Sequence, residues 1–147
     1  MVDKVHFSSD SNEWETPQDL FDKLNDEFRF TLDPCASKNN AKCKKYYTKE
    51  DNGLIQSWRD EIVFMNPPYG REIPKWVEKA YNESIHEDCI VVCLIPSRTD
   101  TKYWHEFIFP HAEVRFLKGR LKFSGHKNSA PFPSAVVIFD NTYNPLA

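Results

Sequence analysis

Residues 62–70 read Ile62-Val63-Phe64-Met65-Asn66-Pro67-Pro68-Tyr69-Gly70. Four apolar residues bounded by turn formers predict a short buried strand. Pro68 then forces Pro67 into extended backbone, and neither proline carries an N–H. A strand tip built this way presents the Asn66 side chain, the Pro67 carbonyl and the Tyr69 ring, which are two acceptors and one stacking surface on a stiff turn. Such a set suits the planar exocyclic amine of a nucleobase, whose two N–H bonds can donate to the two oxygens. The amine lone pair is delocalised into the ring, so the acceptors raise its nucleophilicity as they draw the nitrogen toward tetrahedral geometry. Tyr69 offers a face for the base, a contact worth about 1–3 kcal/mol. The stretch alone also fits a strand closed by a Pro-Pro turn over a buried tyrosine, so the flanking chain has to decide.

Working outward, Ile73, Trp76, Val77, Ala80, Tyr81 and Ile85 recur at helical spacing after Gly70, with Pro74 in the tolerated first turn. Cys89 to Ile95 is a continuous apolar run, as expected for a strand buried on both faces. It ends in the polar segment Pro96-Ser97-Arg98-Thr99-Asp100, where Thr99 or Asp100 is placed to cap a helix carrying Tyr103, Trp104, Phe107 and Ile108 that Pro110 should stop. Val114–Leu117 and Leu121–Phe123 flank Lys118-Gly119-Arg120 as a hairpin or one interrupted strand, and Ala135–Phe139 is a final apolar strand.

On the amino-terminal side, Thr16 reads as an N-cap and Pro17 as the first residue of a helix whose stripe is Leu20, Phe21, Leu24 and Phe28. Phe30-Thr31-Leu32-Asp33 is a short strand ending in an acid, followed by Pro34-Cys35-Ala36-Ser37. Asp33 there is a turn former or a partner for a ligand ammonium group, and the small residues after it let a ligand approach the backbone. No G-x-G-x-x-G is present, which disfavours a dinucleotide site. Glu50-Asp51-Asn52-Gly53 is a turn in which Asp51 or Asn52 can accept from an adenine amino group.

Strands alternating with helices, closed by two consecutive strands, predict an α/β three-layer sandwich with a mixed, mostly parallel sheet. The strand-end loops at residues 33–37, 66–70 and 96–100 should then share one rim, where open α/β sheets bind ligands. The 147 residues suffice for one sizeable core, assigned to residues 14–147, with 1–13 as a flexible polar arm. No apolar run is long enough for a membrane span and no signal peptide is recognisable, so a cytoplasmic location without membrane association is expected.

A net charge of −3 creates no global positive field, which leaves local clusters to meet nucleic acid. Lys38, Lys42, Lys44, Lys45 and Lys49 form one basic run, and Arg115, Lys118, Arg120, Lys122 and Lys127 another. Either also reads as a solvated face. Cys35, Cys43, Cys89 and Cys93 have no C-x-x-C or matched histidine spacing, which argues against zinc, and disulfides do not suit the compartment.

The ordered set Trp14-Glu15-Thr16-Pro17, Leu32-Asp33, Ala36-Ser37, Asn40–Cys43, Tyr47-Thr48, Gly53-Leu54, Asn66–Gly70, Pro96–Thr101, Lys118–Arg120 and Ala130–Ser134 resembles the small phage-type DNA adenine-N6 methyltransferases over nearly the whole chain. The resemblance implies a Rossmann-like methyltransferase fold. It further implies transfer of a methyl group from S-adenosylmethionine to adenine N6 in double-stranded DNA, in the host cytoplasm if the chain is phage-encoded. Asn66, Pro67, Pro68 and Tyr69 would then form the catalytic loop receiving a flipped base. Thr16, Pro17, Asp33, Ala36 and Asp51 would line the cofactor crevice, with no metal involved. DNA contacts fall to Ser97-Arg98 and residues 119–131, with Arg98, Arg120 and Lys122 on phosphates or a guanine.

Two departures from the wider methyltransferase pattern stand out. Asp33–Ser37 replaces a glycine-rich cofactor loop, and no acid follows about 20 residues on to hold a ribose. Cytosine-N4 methylation poses the same chemical problem, although serine often stands at the first motif position there. A non-catalytic nucleic-acid-binding module is the remaining alternative, and it predicts salt-sensitive binding indifferent to S-adenosylmethionine.

Overall fold

In the computed structural model, which describes residues 14–142, the chain builds a six-stranded mixed sheet with helices on both faces. The elements are α1 (Gln18–Phe28), β1 (Leu32–Asp33), β2 (Lys45–Tyr46), a 3₁₀ turn (Gly53–Ile55), β3 (Ile62–Met65), α2 (Ile73–His86), β4 (Ile90–Pro96), a π-helical segment (Trp104–Ile108), α3 (Phe109–His111), β5 (Glu113–Phe116) and β6 (Ser134–Phe139). Strand order is β2-β1-β3-β4-β6-β5. The pairs β2–β1, β1–β3 and β3–β4 are parallel, and β6 runs antiparallel to both β4 and β5. The proposed arm, residues 1–13, lies outside the described residues.

The register explains the layers. Phe64 of β3 pairs with Val92, which pairs with Ile138, so these three share one face. Phe21 of α1 meets Phe64 edge-on at 5.1 Å on that side, and Arg115 reaches from β5 to Glu27 of α1. Val63, Val91 and Phe139 share the opposite face, where Phe139 meets Tyr81 of α2. Every residue of β6 is buried, as is β4 beyond Ile90, which accounts for their unbroken apolar runs.

Three details differ from the expectations above. Thr16 does not cap α1; its side chain is drawn to Asn66, and Pro17 stands at the cap with only its carbonyl engaged, accepting from Phe21. Pro110 does not stop the helix before it. The π turn ending at Ile108 shifts the hydrogen-bond register, Phe109 N–H donating back to Trp104, and the helix runs on through Pro110 to His111. Residues 121–123 add no strand, because Phe123 is pulled under Trp14 and Tyr69 while β5 pairs with β6 instead. Among the described residues no helix is long and apolar enough to cross a membrane.

Candidate active site

Parallel pairing of β1, β3 and β4 puts their carboxyl ends, and so Asp33, Asn66 and Ser97, on one edge of the sheet. From β1 the chain moves outward to the edge strand β2, then returns across β1 to β3 and continues the other way to β4. The strand order therefore reverses between β1 and β3, and such a reversal opens a crevice at the carboxyl edge. Asp33 and Asn66 end the two strands that flank it.

Asn66 follows the last residue of β3 and is half-buried. Its amide Nδ2 donates to the Trp14 carbonyl at 2.5 Å and to Thr16 Oγ1 at 2.9 Å. A flipped amide would press its oxygen against the Trp14 carbonyl, so these partners settle which way it points. Oδ1 is left buried without a hydrogen-bond partner among the described residues. The hydroxyls of Ser97 and Ser134 share that state, whereas the Tyr103 hydroxyl and the Trp104 indole N–H have each other within reach. Hydroxyls can rotate, however, whereas Oδ1 is an acceptor only and is pinned in place. An unpaired buried acceptor costs about 1–3 kcal/mol, a cost that calls for an explanation.

Pro67 is buried and Pro68 exposed, so the turn shows one ring to solvent and keeps the other against the core. Tyr69 is only 5% exposed. Its hydroxyl donates to the Leu94 carbonyl at 3.0 Å, and burial pushes its pKa well up. Around its ring stand Trp14, near-parallel at 6.4 Å, and Phe123 and Phe132 edge-on at 6.1 and 5.6 Å. Trp14 in turn stacks on His126 at 4.3 Å. Ser124 N–H donates to the Glu15 carbonyl and stitches the 14–16 segment to the 121–132 loop. The face of Tyr69 is thus covered by two segments and not by a regular element. Surface hollows of about 200 and 250 Å³ lie elsewhere, beside α2 and at the amino ends of β3 and β4.

Asp33 is buried, and its carboxylate accepts from the backbone N–H groups of Cys35 and Lys42. Burial raises its pKa, and the two N–H groups offset this only in part. Ala36 is buried in the same loop and donates its N–H to Tyr47. The exposed Asp51 folds its carboxylate onto Thr48, receiving its N–H and hydroxyl. Gly53 brings the two loops together: a Cβ there would sit 2.5 Å from the Pro34 carbonyl oxygen and 3.1 Å from Trp76. Gly53→Ala should therefore push the Asp51 turn away from the 33–37 loop and lower the melting temperature, since the nearest obstacle is backbone that cannot rotate aside. Thermal melting of the variant checks this; an unchanged transition would show that the loops are not in contact.

Arg98, Arg120 and Lys122 are all exposed. Ser97 N–H donates to the Pro133 carbonyl, which joins the Arg98 loop to the one carrying Arg120 and Lys122. Arg115 does not belong with them. Its guanidinium makes a bidentate pair with Glu27 at 2.7 and 2.8 Å and bonds Glu113, so it is committed to structure. Lys45 is likewise paired with Glu61. Sequence reading missed the link between Thr16 and Asn66, which lie 50 residues apart, and the Trp14–His126 stack. The only signal for either was the polar Trp14-Glu15-Thr16 run before a helix. All four cysteines are free thiols, and burial lifts those of Cys43 and Cys89 to about 12. Among the described residues no group of three or more His, Cys, Asp or Glu side chains is gathered to hold a metal.

A family model for DNA N-6-adenine-methyltransferase (Dam) matches residues 5–145. Over 140 residues the chain is 29% identical to the DNA N-6-adenine-methyltransferase of Haemophilus phage HP1, covering 90% of this chain and 80% of that protein. It is 31% identical over 110 residues to the protein of the same name from Escherichia phage T1, covering 74% of this chain but 45% of the longer relative. The matched residues include Asn66 and all six strands of the sheet: the chain belongs to the DNA N-6-adenine-methyltransferase (Dam) family.

Proposed function

We propose that this protein methylates the N6 amine of adenine in double-stranded DNA, using S-adenosylmethionine and a flipped base held by Asn66, Pro67, Pro68 and Tyr69. The observation that carries the reading is the buried, unpartnered Oδ1 of Asn66 at the carboxyl end of β3. In a core of this kind an amide with one orphaned end is a standing cost, and an arriving N–H donor removes it. The β2-β1-β3-β4-β6-β5 order, with its reversal beside Asp33, supports reading the sheet as a Rossmann-like methyltransferase fold.

The residues present fit the cofactor. Asp33 is a buried carboxylate balanced mainly by backbone dipoles, a setting in which an added ammonium group restores charge balance. Pro17, Ala36 and the Asp51 turn line the proposed crevice beside the close approach of Gly53 to Pro34, and Asp51, on leaving Thr48, accepts from an adenine ring amine. When bound, S-adenosylmethionine supplies an electrophilic methyl group. The chain's own part is positioning and electrostatics. Asn66 Oδ1 and the Pro67 carbonyl accept the two N–H bonds of the amine and aim two negative dipole ends at a nitrogen that becomes positive as it reacts. Tyr69, fixed through Leu94, stacks on the base. Admission of the base requires the Trp14 ring and the 121–132 segment to part over Tyr69 while the Trp14 and Thr16 contacts to Asn66 stay in place, and Arg98, Arg120 and Lys122 stand on the neighbouring loops to take DNA phosphates or a base edge.

Incubation with methyl-labelled S-adenosylmethionine and duplex DNA, followed by nucleoside analysis, should place label on N6-methyladenine. Label on N4-methylcytosine would move the activity to the other exocyclic amine. Label on no base would refute the proposal.

A further inference from the structure

The Asn66 amide is held from a direction that the catalytic loop does not explain. Both of its N–H bonds are taken, one by the Trp14 carbonyl and one by Thr16 Oγ1. Thr16 is 2% exposed, so its hydroxyl faces the interior and not an open crevice. A single hydrogen bond would let the amide pivot about its terminal torsion, which is soft for asparagine. Two acceptors, one for each N–H, fix the plane, and the carbonyl end then has one direction left. Drawing on both N–H groups also polarises the amide, making Oδ1 a stronger acceptor than an unanchored asparagine would offer.

We propose that Thr16 is a positioning residue, whose hydroxyl oxygen, together with the Trp14 carbonyl, locks the Asn66 amide so that Oδ1 meets the target amine. This rests on the reading of Asn66 as the base-holding residue. It assigns the Thr16 side chain to the target base and leaves the cofactor crevice to Pro17, Asp33, Ala36 and Asp51. The same arrangement accounts for the missing helix cap: the hydroxyl that would ordinarily bond the first turn of α1 is turned toward β3.

Thr16→Val keeps the shape of the side chain and removes its acceptor; Thr16→Ser keeps the acceptor. On duplex DNA at saturating S-adenosylmethionine, the valine variant should lose roughly ten- to hundred-fold in kcat, as misplacing a reacting group does. Its Kd for S-adenosylmethionine should stay within about two-fold of wild type, and serine should restore most of the turnover. Wild-type kcat in Thr16→Val would overturn the proposal. So would a loss that more cofactor abolishes, or a serine variant as slow as the valine one.

If the valine variant does not fold, hydrogen exchange at the Asn66 side-chain amide of the wild-type protein decides. Two slowly exchanging protons are expected, and fast exchange of both would overturn the assignment. Asn66→Ala, run alongside, separates the two levels. If it turns over normally, the base-holding reading fails. If it is inactive while Thr16→Val is unimpaired, only the positioning role fails.

Discussion

Replacing Asn66 with alanine is expected to lower kcat by at least roughly 10²-fold, the size of effect seen when one preorganised dipole is removed from a developing charge. Affinity for S-adenosylmethionine should hold, because the proposed cofactor crevice draws on other residues. Stability separates this outcome from a purely structural one. Alanine removes a buried orphan acceptor costing about 1–3 kcal/mol, but it takes the donor from the Trp14 carbonyl, a loss of about the same size, and from the Thr16 hydroxyl, which can rotate to another partner. The two contributions nearly cancel, so the melting temperature should move by only a few degrees while turnover collapses. A structural asparagine would do the reverse. Turnover and melting measured on the same preparation check both halves of the expectation.

The largest effect on stability is expected at Trp58, a residue with no catalytic part. It is fully buried, stacks near-parallel on Trp76 at 6.4 Å and lies under the Lys79 ammonium at 5.3 Å. Its indole N–H donates to the Gly53 carbonyl at 3.1 Å, and its backbone N–H to Glu83 at 2.5 Å. Trp58→Ala should cost about 3–5 kcal/mol, the usual range for emptying a core aromatic site. At about 2–4 °C per kcal/mol for a chain of this size, the melting temperature should drop by roughly 10 °C. The damage should also reach the site, since Trp58 anchors the Gly53 turn that holds the Asp51 and Asp33 loops together. Weaker binding of S-adenosylmethionine, read by calorimetry below the melting transition, is the second expected consequence. Retained affinity would show that the crevice does not depend on that turn.

The sequence revealed the elements better than their arrangement. The apolar runs of β3, β4 and β6 are readable because strands covered on both faces need no polar positions. The shared rim followed from strand–helix alternation, which allows few parallel topologies. Asn66 stood out because two prolines remove local alternatives for the backbone. Spatial order was less accessible. That β6 inserts between β4 and β5, or that Arg115 is claimed by Glu27 88 residues away, depends on long-range packing that no local pattern carries. Thr16 is the most instructive miss. Local chemistry favours it as a helix cap, and only a partner 50 residues distant makes its hydroxyl more useful elsewhere. A local rule set aside in this way is expected at a functional site.

The most direct test compares DNA from cells expressing the wild-type chain with DNA from cells expressing Asn66→Ala at equal protein levels, each digested to nucleosides and analysed for methylated bases. N6-methyladenine should appear with the wild-type chain and fall to background with the variant. Equal N6-methyladenine from both would contradict the central claim that the Asn66 oxygen holds the amine that is methylated.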